Sequence, residues 1–244
     1  MSSNLIVPRE ITDNEIYYCD RDSATAAGRY LTCVEWNFIT KYLCRPPIRK
    51  QCILDVGGGS GRFAMPLYAM GMDVIVEEVN SLPLRLLHKN NPAIPAILQD
   101  PQLKSFPFND QVADYMLCIE VPDLTESDWF FPEARRILKR GGLLIFTTHN
   151  RCSYKGFYKK ILLKEDGKSD DWYKIHYKSN YSQVKDRLAR AGFNLIEALG
   201  FHWIPVSRAS NNKLTPLFMV IERSLRLGSM VTFSPWIIMA VRKV

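Results

Sequence analysis

The sequence predicts an α/β protein built on an open, mostly parallel sheet with helices on both faces. Three observations carry this. Apolar runs of strand length alternate with segments of helical periodicity through the first 150 residues. The intervening helical segments are long enough for right-handed crossovers between parallel strands. The first apolar run ends in a cluster of glycines, where a ligand-binding turn is expected in such a sheet.

Taken in order, residues 22–44 read as an amphipathic helix, with Leu31, Val34, Phe38 and Tyr42 at helical spacing and Arg45-Pro46-Pro47 as its stop. Residues 52–56 are a buried strand, and 61–70 a helix closed by Gly71. Strand, helix and strand follow at 73–78, 82–89 and 93–98. The next strand is 113–119, then a helix at 126–139 closed by Gly141-Gly142, then a strand at 143–148. After Asn150 the rhythm breaks. Residues 151–171 are irregular, basic and aromatic; a helix (181–191), a strand (193–199), a helix (214–227) and a last strand or hairpin end (230–241) complete the chain.

With 244 residues, 47% hydrophobic and 23% charged, the chain can bury a sizeable core in one large domain. No compositional bias marks a collagenous, disordered or disulfide-scaffold protein. Six cysteines without a C-x-x-C pair signal neither a zinc site nor a disulfide framework, so no metal is expected. The first residues lack a basic-then-apolar leader, and residues 230–241 are too short for a bilayer and interrupted by Pro235. A soluble cytoplasmic protein is the expectation. The net charge of +7 is uneven: residues 1–150 hold 15 Lys and Arg against 18 Asp and Glu, and residues 151–244 hold 17 against 7. A basic second part suits an anionic partner: nucleic acid, anionic lipid or a phosphorylated small molecule.

The chemistry concentrates in Asp55-Val56-Gly57-Gly58-Gly59-Ser60-Gly61. Glycines let the backbone turn sharply and let a ligand approach without a Cβ in the way. Glu78, at the end of the second strand, is placed to accept the two ribose hydroxyls of an adenosine. Gly59-Ser60-Gly61-Arg62-Phe63-Ala64 also satisfies the G-x-G-x-x-A dinucleotide fingerprint. A carboxylate at Asp55, however, would repel a pyrophosphate and attract a cation. The ligand combining adenosine with positive charge is S-adenosyl-L-methionine, which is favoured over NAD.

These residues resemble the D-x-G-x-G-x-G motif of class I S-adenosylmethionine-dependent methyltransferases, in particular the ubiquinone/menaquinone-type small-molecule group. Glu78-Val79-Asn80, Gln99-Asp100 with Phe106-Pro107-Phe108, Ala113 to Cys118, Glu133 to Ile145 and Ala191-Gly192-Phe193 are similar to that group's later motifs, in order. The resemblance implies a Rossmann-like, doubly wound seven-stranded sheet with an antiparallel last strand. It implies one domain over 1–244: a cover helix (1–50), a cofactor-binding half (51–150), a lid insertion (151–181) and C-terminal helices and strands (182–244). It also implies a cofactor site in which Gly57, Gly58, Gly59 and Gly61 pass beneath the amino-acid part, Asp55 binds the ammonium, Glu78 the ribose and Asp100 the adenine amino group. Glu120, after the fourth strand, faces cofactor or acceptor. Because a strand alternates faces, only one of Glu77 and Glu78 is expected to point at the ligand.

Methyl transfer needs chiefly orientation, with a base only for a hydroxyl or acidic carbon. His149, directly after the fifth strand, is the first candidate base and His176 the second, although each reads more readily as a structural histidine, His149 as a hydrogen-bonded one in a loop. The lid carries Tyr154, Phe157, Tyr158, Trp172, Tyr173, Tyr177 and Tyr181 interleaved with seven lysines, suited to a planar or anionic acceptor or to a solvated charged loop. The expected acceptor is a small molecule, anionic or linked to a lipid or sugar, methylated on O, C or N. An RNA or protein substrate is less favoured: Glu120-Val121-Pro122-Asp123 stands where amino-nitrogen methylases carry Asn/Asp-Pro-Pro-Tyr. A non-catalytic cofactor-binding subunit is the remaining alternative.

Overall fold

The computed structural model describes residues 17–43, 51–158 and 176–244. Seven strands form one sheet in the order β3-β2-β1-β4-β5-β7-β6. The strands are β1 (Cys52–Val56), β2 (Asp73–Glu78), β3 (Ala96–Leu98), β4 (Ala113–Cys118), β5 (Leu138–His149), β6 (Phe193–Phe201) and β7 (Trp236–Lys243). Neighbours from β3 through β5 pair in parallel, and β7 runs antiparallel to both β5 and β6. The expected doubly wound sheet with an antiparallel last strand is the observed one.

The α-helices among the described residues are α1 (Tyr18–Ser23), α2 (Ala26–Leu43), α3 (Ala64–Ala69), α4 (Ser81–Asn90), α5 (Pro122–Thr125), α6 (Phe130–Ile137), α7 (Tyr181–Arg190) and α8 (Thr215–Ser224). Alternation along the central strands divides the core in two. Ile53, Val76, Leu117 and Ile145 pack with Leu31, Phe38 and Ile39 of α2 and with Leu67 and Leu87. Leu54, Met116, Leu144 and Phe146 pack on the other face with Phe130, Phe131, Ala134 and Ile137 of α6 and with Val184 and Leu188 of α7. Both faces are covered, so the central strands read as near-continuous apolar runs.

Several element boundaries differ from the sequence reading, three of them for a clear local reason. The helix expected at 22–44 is two helices. Thr25 interrupts it: its Oγ1 accepts from the Gly28 N–H (2.9 Å) as an N-cap and lies 2.6 Å from the Arg208 carbonyl. The helix expected at 126–139 is only α6. Glu126 instead turns its carboxylate to Ser179 (2.6 Å) and Arg187 (3.2 Å), and the extended backbone of Leu138 starts β5 directly. The last strand starts at Trp236, because Pro235 has no N–H for the ladder and residues 231–233 form a 3₁₀ turn. The middle of the lid expectation, including Trp172 and Tyr173, lies outside the described residues.

The chain passes from β3 at the sheet edge to β4 beside β1. Adjacent connections therefore leave in opposite directions at β1 and β4, and a crevice opens at the carboxyl ends of these strands.

Phe130 is fully buried and meets Phe106 and Phe131 at ring distances of 6.4 and 5.4 Å. Phe130→Ala is expected to lower the unfolding free energy by about 3–5 kcal/mol in urea denaturation; a loss below about 1 kcal/mol would contradict this packing.

Candidate active site

The crevice is a cleft of about 530 Å³ lined by the glycine turn, the ends of β2 and β4, Gln99, Phe106, Trp129, His176 and the start of α1. The turn follows β1 because its backbone can do what a side-chain-bearing residue could not. Gly57 has φ +65°, and a Cβ there would lie 2.5 Å from Val121. Gly58 passes directly over Asp55: a Cβ would stand 2.8 Å from the carboxylate. Gly59 and Gly61 also have positive φ. The Gly57 N–H donates to the Glu77 carbonyl (2.8 Å) and the Gly59 N–H to Glu78 Oε2 (3.2 Å), so the end of β2 holds the turn in place. Helix α3 begins only at Ala64, later than the sequence suggests.

Asp55 is 2% exposed, and its Oδ2 has no hydrogen-bond partner in the protein. Burial, partly offset by Arg62, pushes its carboxyl up to about 7. Glu77 is also pushed up to about 7, by burial and then by Glu78. Glu78 is pinned by backbone donors, with Oε1 accepting from Val79 (2.8 Å) and Asn80 (3.0 Å). Both Glu77 and Glu78 line the cleft, although they lie on opposite faces of β2. At the strand end alternation no longer separates them, contrary to the sequence expectation. Three carboxyl groups thus converge on one end of the cleft.

Asp100 is not among the lining residues. It is exposed, and its Oδ1 accepts from the Gln102 N–H (2.9 Å), capping the Pro101-Gln102 turn. Gln99 faces the cleft instead. It is buried, its Nε2 donates to the Ser105 carbonyl (3.1 Å), and its Oε1 has no partner in the protein.

Glu120 lines the cleft with a left-handed backbone (φ 63°) and accepts from Arg62 (3.3 Å) and from Arg208. Arg62 also bonds Glu35 (3.2 Å), which α2 buries completely, and Arg208 reaches Ser23 (2.8 Å) and Thr32 (3.2 Å). Burial raises the Glu35 carboxyl, and burial followed by Arg62 lowers the Arg208 guanidinium to about 10. The network ties the cover helices to the site from opposite ends of the sequence. It is α1 that overhangs the cleft: Tyr17 packs against Gly59, and Asp20 accepts from the Ser60 hydroxyl.

The two histidines come together, with ring centroids 5.5 Å apart. His176 lines the cleft. His149 stands behind it, against Trp236 (4.9 Å) and Tyr177 (5.3 Å), in a smaller void that it shares with Glu120 and Thr147. Among the described residues, no cluster of His, Cys, Asp and Glu is suited to a metal ion.

Residues 54–146, the glycine turn through β5, match the family described as "Methyltransferase domain". Through this stretch the chain is similar to methyltransferases. It is 29% identical over 147 residues to an uncharacterised protein of Methanocaldococcus jannaschii, covering 59% of this chain and 65% of that protein's length. It is 25% identical over 173 residues to the ubiquinone/menaquinone biosynthesis C-methyltransferase UbiE of Zymomonas mobilis, covering 62% and 71%. A solved Thermotoga maritima structure, described as an S-adenosylmethionine-dependent methyltransferase and possible histamine N-methyltransferase, superposes with a TM-score of 0.59. It is 18% identical and covers 89% of this chain and 91% of that one. That likeness establishes the fold. Sequence patterning leaves Glu35 and Arg208 unmarked, gives Arg62 no role although it stands in the glycine motif, and offers Glu77 and Gln99 only as neighbours of Glu78 and Asp100.

The carboxyls of Asp55 and Glu77 have folded pKa values above their ordinary ones, so their burial favours folding most at low pH. That contribution is lost as pH rises from about 4 through about 7. The ligand-free protein is expected to lose unfolding free energy over this range, and Asp55→Asn to lose less. An equal pH dependence in both proteins would contradict the burial of an ionisable Asp55.

Proposed function

We propose that the chain transfers the methyl group of S-adenosyl-L-methionine to a small-molecule acceptor, with the cleft as the site of both. The observation that carries this is the buried, partnerless Oδ2 of Asp55 beneath the glycine turn. A buried acceptor atom without a donor is costly unless a ligand supplies one. The donor that fits an acid-lined end is an ammonium, whereas a pyrophosphate would meet Asp55, Glu77 and Glu78 as like charges.

The remaining pieces fit the same ligand. Glu78, immobilised by Val79, Asn80 and Gly59, has lone pairs left for ribose hydroxyls. Gln99 Oε1, in a cleft whose lining also includes Leu103, Phe106 and Trp129, suits an adenine amino group, the role the resemblance assigns to Asp100. When bound, the cofactor supplies a methyl group already activated on a sulfonium. The protein's task is to orient the acceptor and exclude water.

His176, on the cleft wall, is placed to take a proton from an acceptor hydroxyl or acidic carbon. His149 behind it holds its ring in the aromatic cluster. Glu120 is committed to Arg62 and Arg208, so its part is to position these groups at the acceptor end rather than to hold the cofactor.

Calorimetric titration tests the reading. S-adenosylmethionine is expected to bind at micromolar affinity and NAD to give no heat. Glu78→Ala should weaken binding roughly tenfold or more, Gln99→Ala roughly threefold to tenfold, and Asp100→Ala not measurably. Binding of NAD in place of the methyl donor would overturn the proposal.

A further inference from the structure

Helix α8 turns one face inward, where Thr215 and Glu222 are buried and the Glu222 carboxyl bonds the Tyr30 hydroxyl of α2. Its other face is exposed and apolar. Leu214, Leu217, Val220, Ile221 and Leu225 recur at helical spacing along it, each between 41% and 64% exposed. Met230 and Phe233, in the turns that follow, are exposed as well. Scattered apolar residues on a surface need no explanation, but a continuous stripe along a helix does.

Within the segment that carries the stripe, the exposed charges have one sign. Between Val206 and Ser234 the only acid is Glu222, which is buried, while Lys213, Arg223 and Arg226 are exposed. An apolar face bordered by basic residues is the pattern of a helix that lies in the plane of a membrane interface, its apolar side among acyl chains and its cations at the headgroups. Among the described residues no helix is long and apolar enough to cross a bilayer, so the contact would be interfacial. Tyr154, stacked on Trp203 (6.4 Å), stands where the Trp203 backbone meets Glu222 and adds an amphipathic aromatic of the kind enriched at such interfaces.

We infer that the exposed face of α8 docks the protein on anionic phospholipid surfaces. The inference is independent of the methyl-transfer reading, since no residue of the stripe lines the cleft. Docking through α8 would hold α2, against which it packs, next to the lipid surface.

Co-sedimentation with phosphatidylglycerol/phosphatidylcholine vesicles tests it, with circular dichroism as the check on folding. The expected result is binding to the mixed vesicles and little to phosphatidylcholine alone, weakening with added salt. The double variant Leu217→Ser, Ile221→Ser should lose binding about tenfold or more. Lys213→Gln and Arg223→Gln should each weaken it by about fivefold. Failure to bind mixed vesicles, or equal binding by the folded Leu217→Ser, Ile221→Ser variant, overturns the inference. So does a dimer in sedimentation velocity that this variant converts to monomer, which would make the face an interface between two copies of the chain.

Discussion

The site is organised by a carboxylate that the fold buries without completing its hydrogen bonding. Asp55 lies one residue before the end of β1, at the point where the strand order reverses, and the Gly57-Gly58 turn closes over it. A buried charge is expensive in a low-dielectric setting, and the protein responds by raising the carboxyl to about 7. Arg62, the only favourable charge on Asp55 among the described residues, is already shared between Glu35 and Glu120. Asp55 is therefore left with an unmet hydrogen-bonding atom, the feature on which the proposed binding of a cationic ligand rests. The glycine geometry, the pinned Glu78 and the ion-pair network all bear on that one group.

The network itself explains how distant parts of the chain meet at the cleft. Arg208 and Glu35 are not neighbours in sequence, yet Arg62 and Glu120 bridge them, and Thr25 and Ala27 at the start of α2 bond the backbone at Arg208 and Ser210. Removing one partner from a buried group of this kind leaves an uncompensated charge, so its members are coupled rather than additive. The covering of the cleft by α1 is consequently tied to Glu120, which bonds Arg208 and shares a small void with His149.

What was legible in the sequence was local. The β1-glycine turn could be read because positive φ is demanded within a few residues, and the strand alternation because both faces of the sheet are buried. The exposure of Asp100 is not legible because the residue before Pro101 is drawn into capping its own turn, and the buried position is that of Gln99 one residue earlier. The break between α1 and α2 depends on Thr25 meeting Arg208, a contact across 183 residues that periodicity cannot register. The pairing of His149 with His176 likewise rests on tertiary packing around Trp236 and Tyr177.

The most direct measurement is the pH dependence of S-adenosylmethionine affinity in the natural protein and in Asp55→Asn. If the ligand's ammonium stabilises an Asp55 carboxylate that is otherwise protonated up to about pH 7, affinity should rise by up to about tenfold per pH unit between pH 5.5 and 7, with protons released on binding. Asp55→Asn should bind more weakly and with a much flatter profile. An affinity independent of pH in the natural protein, or the same slope in both, would contradict the account of Asp55 as the group around which the site is built.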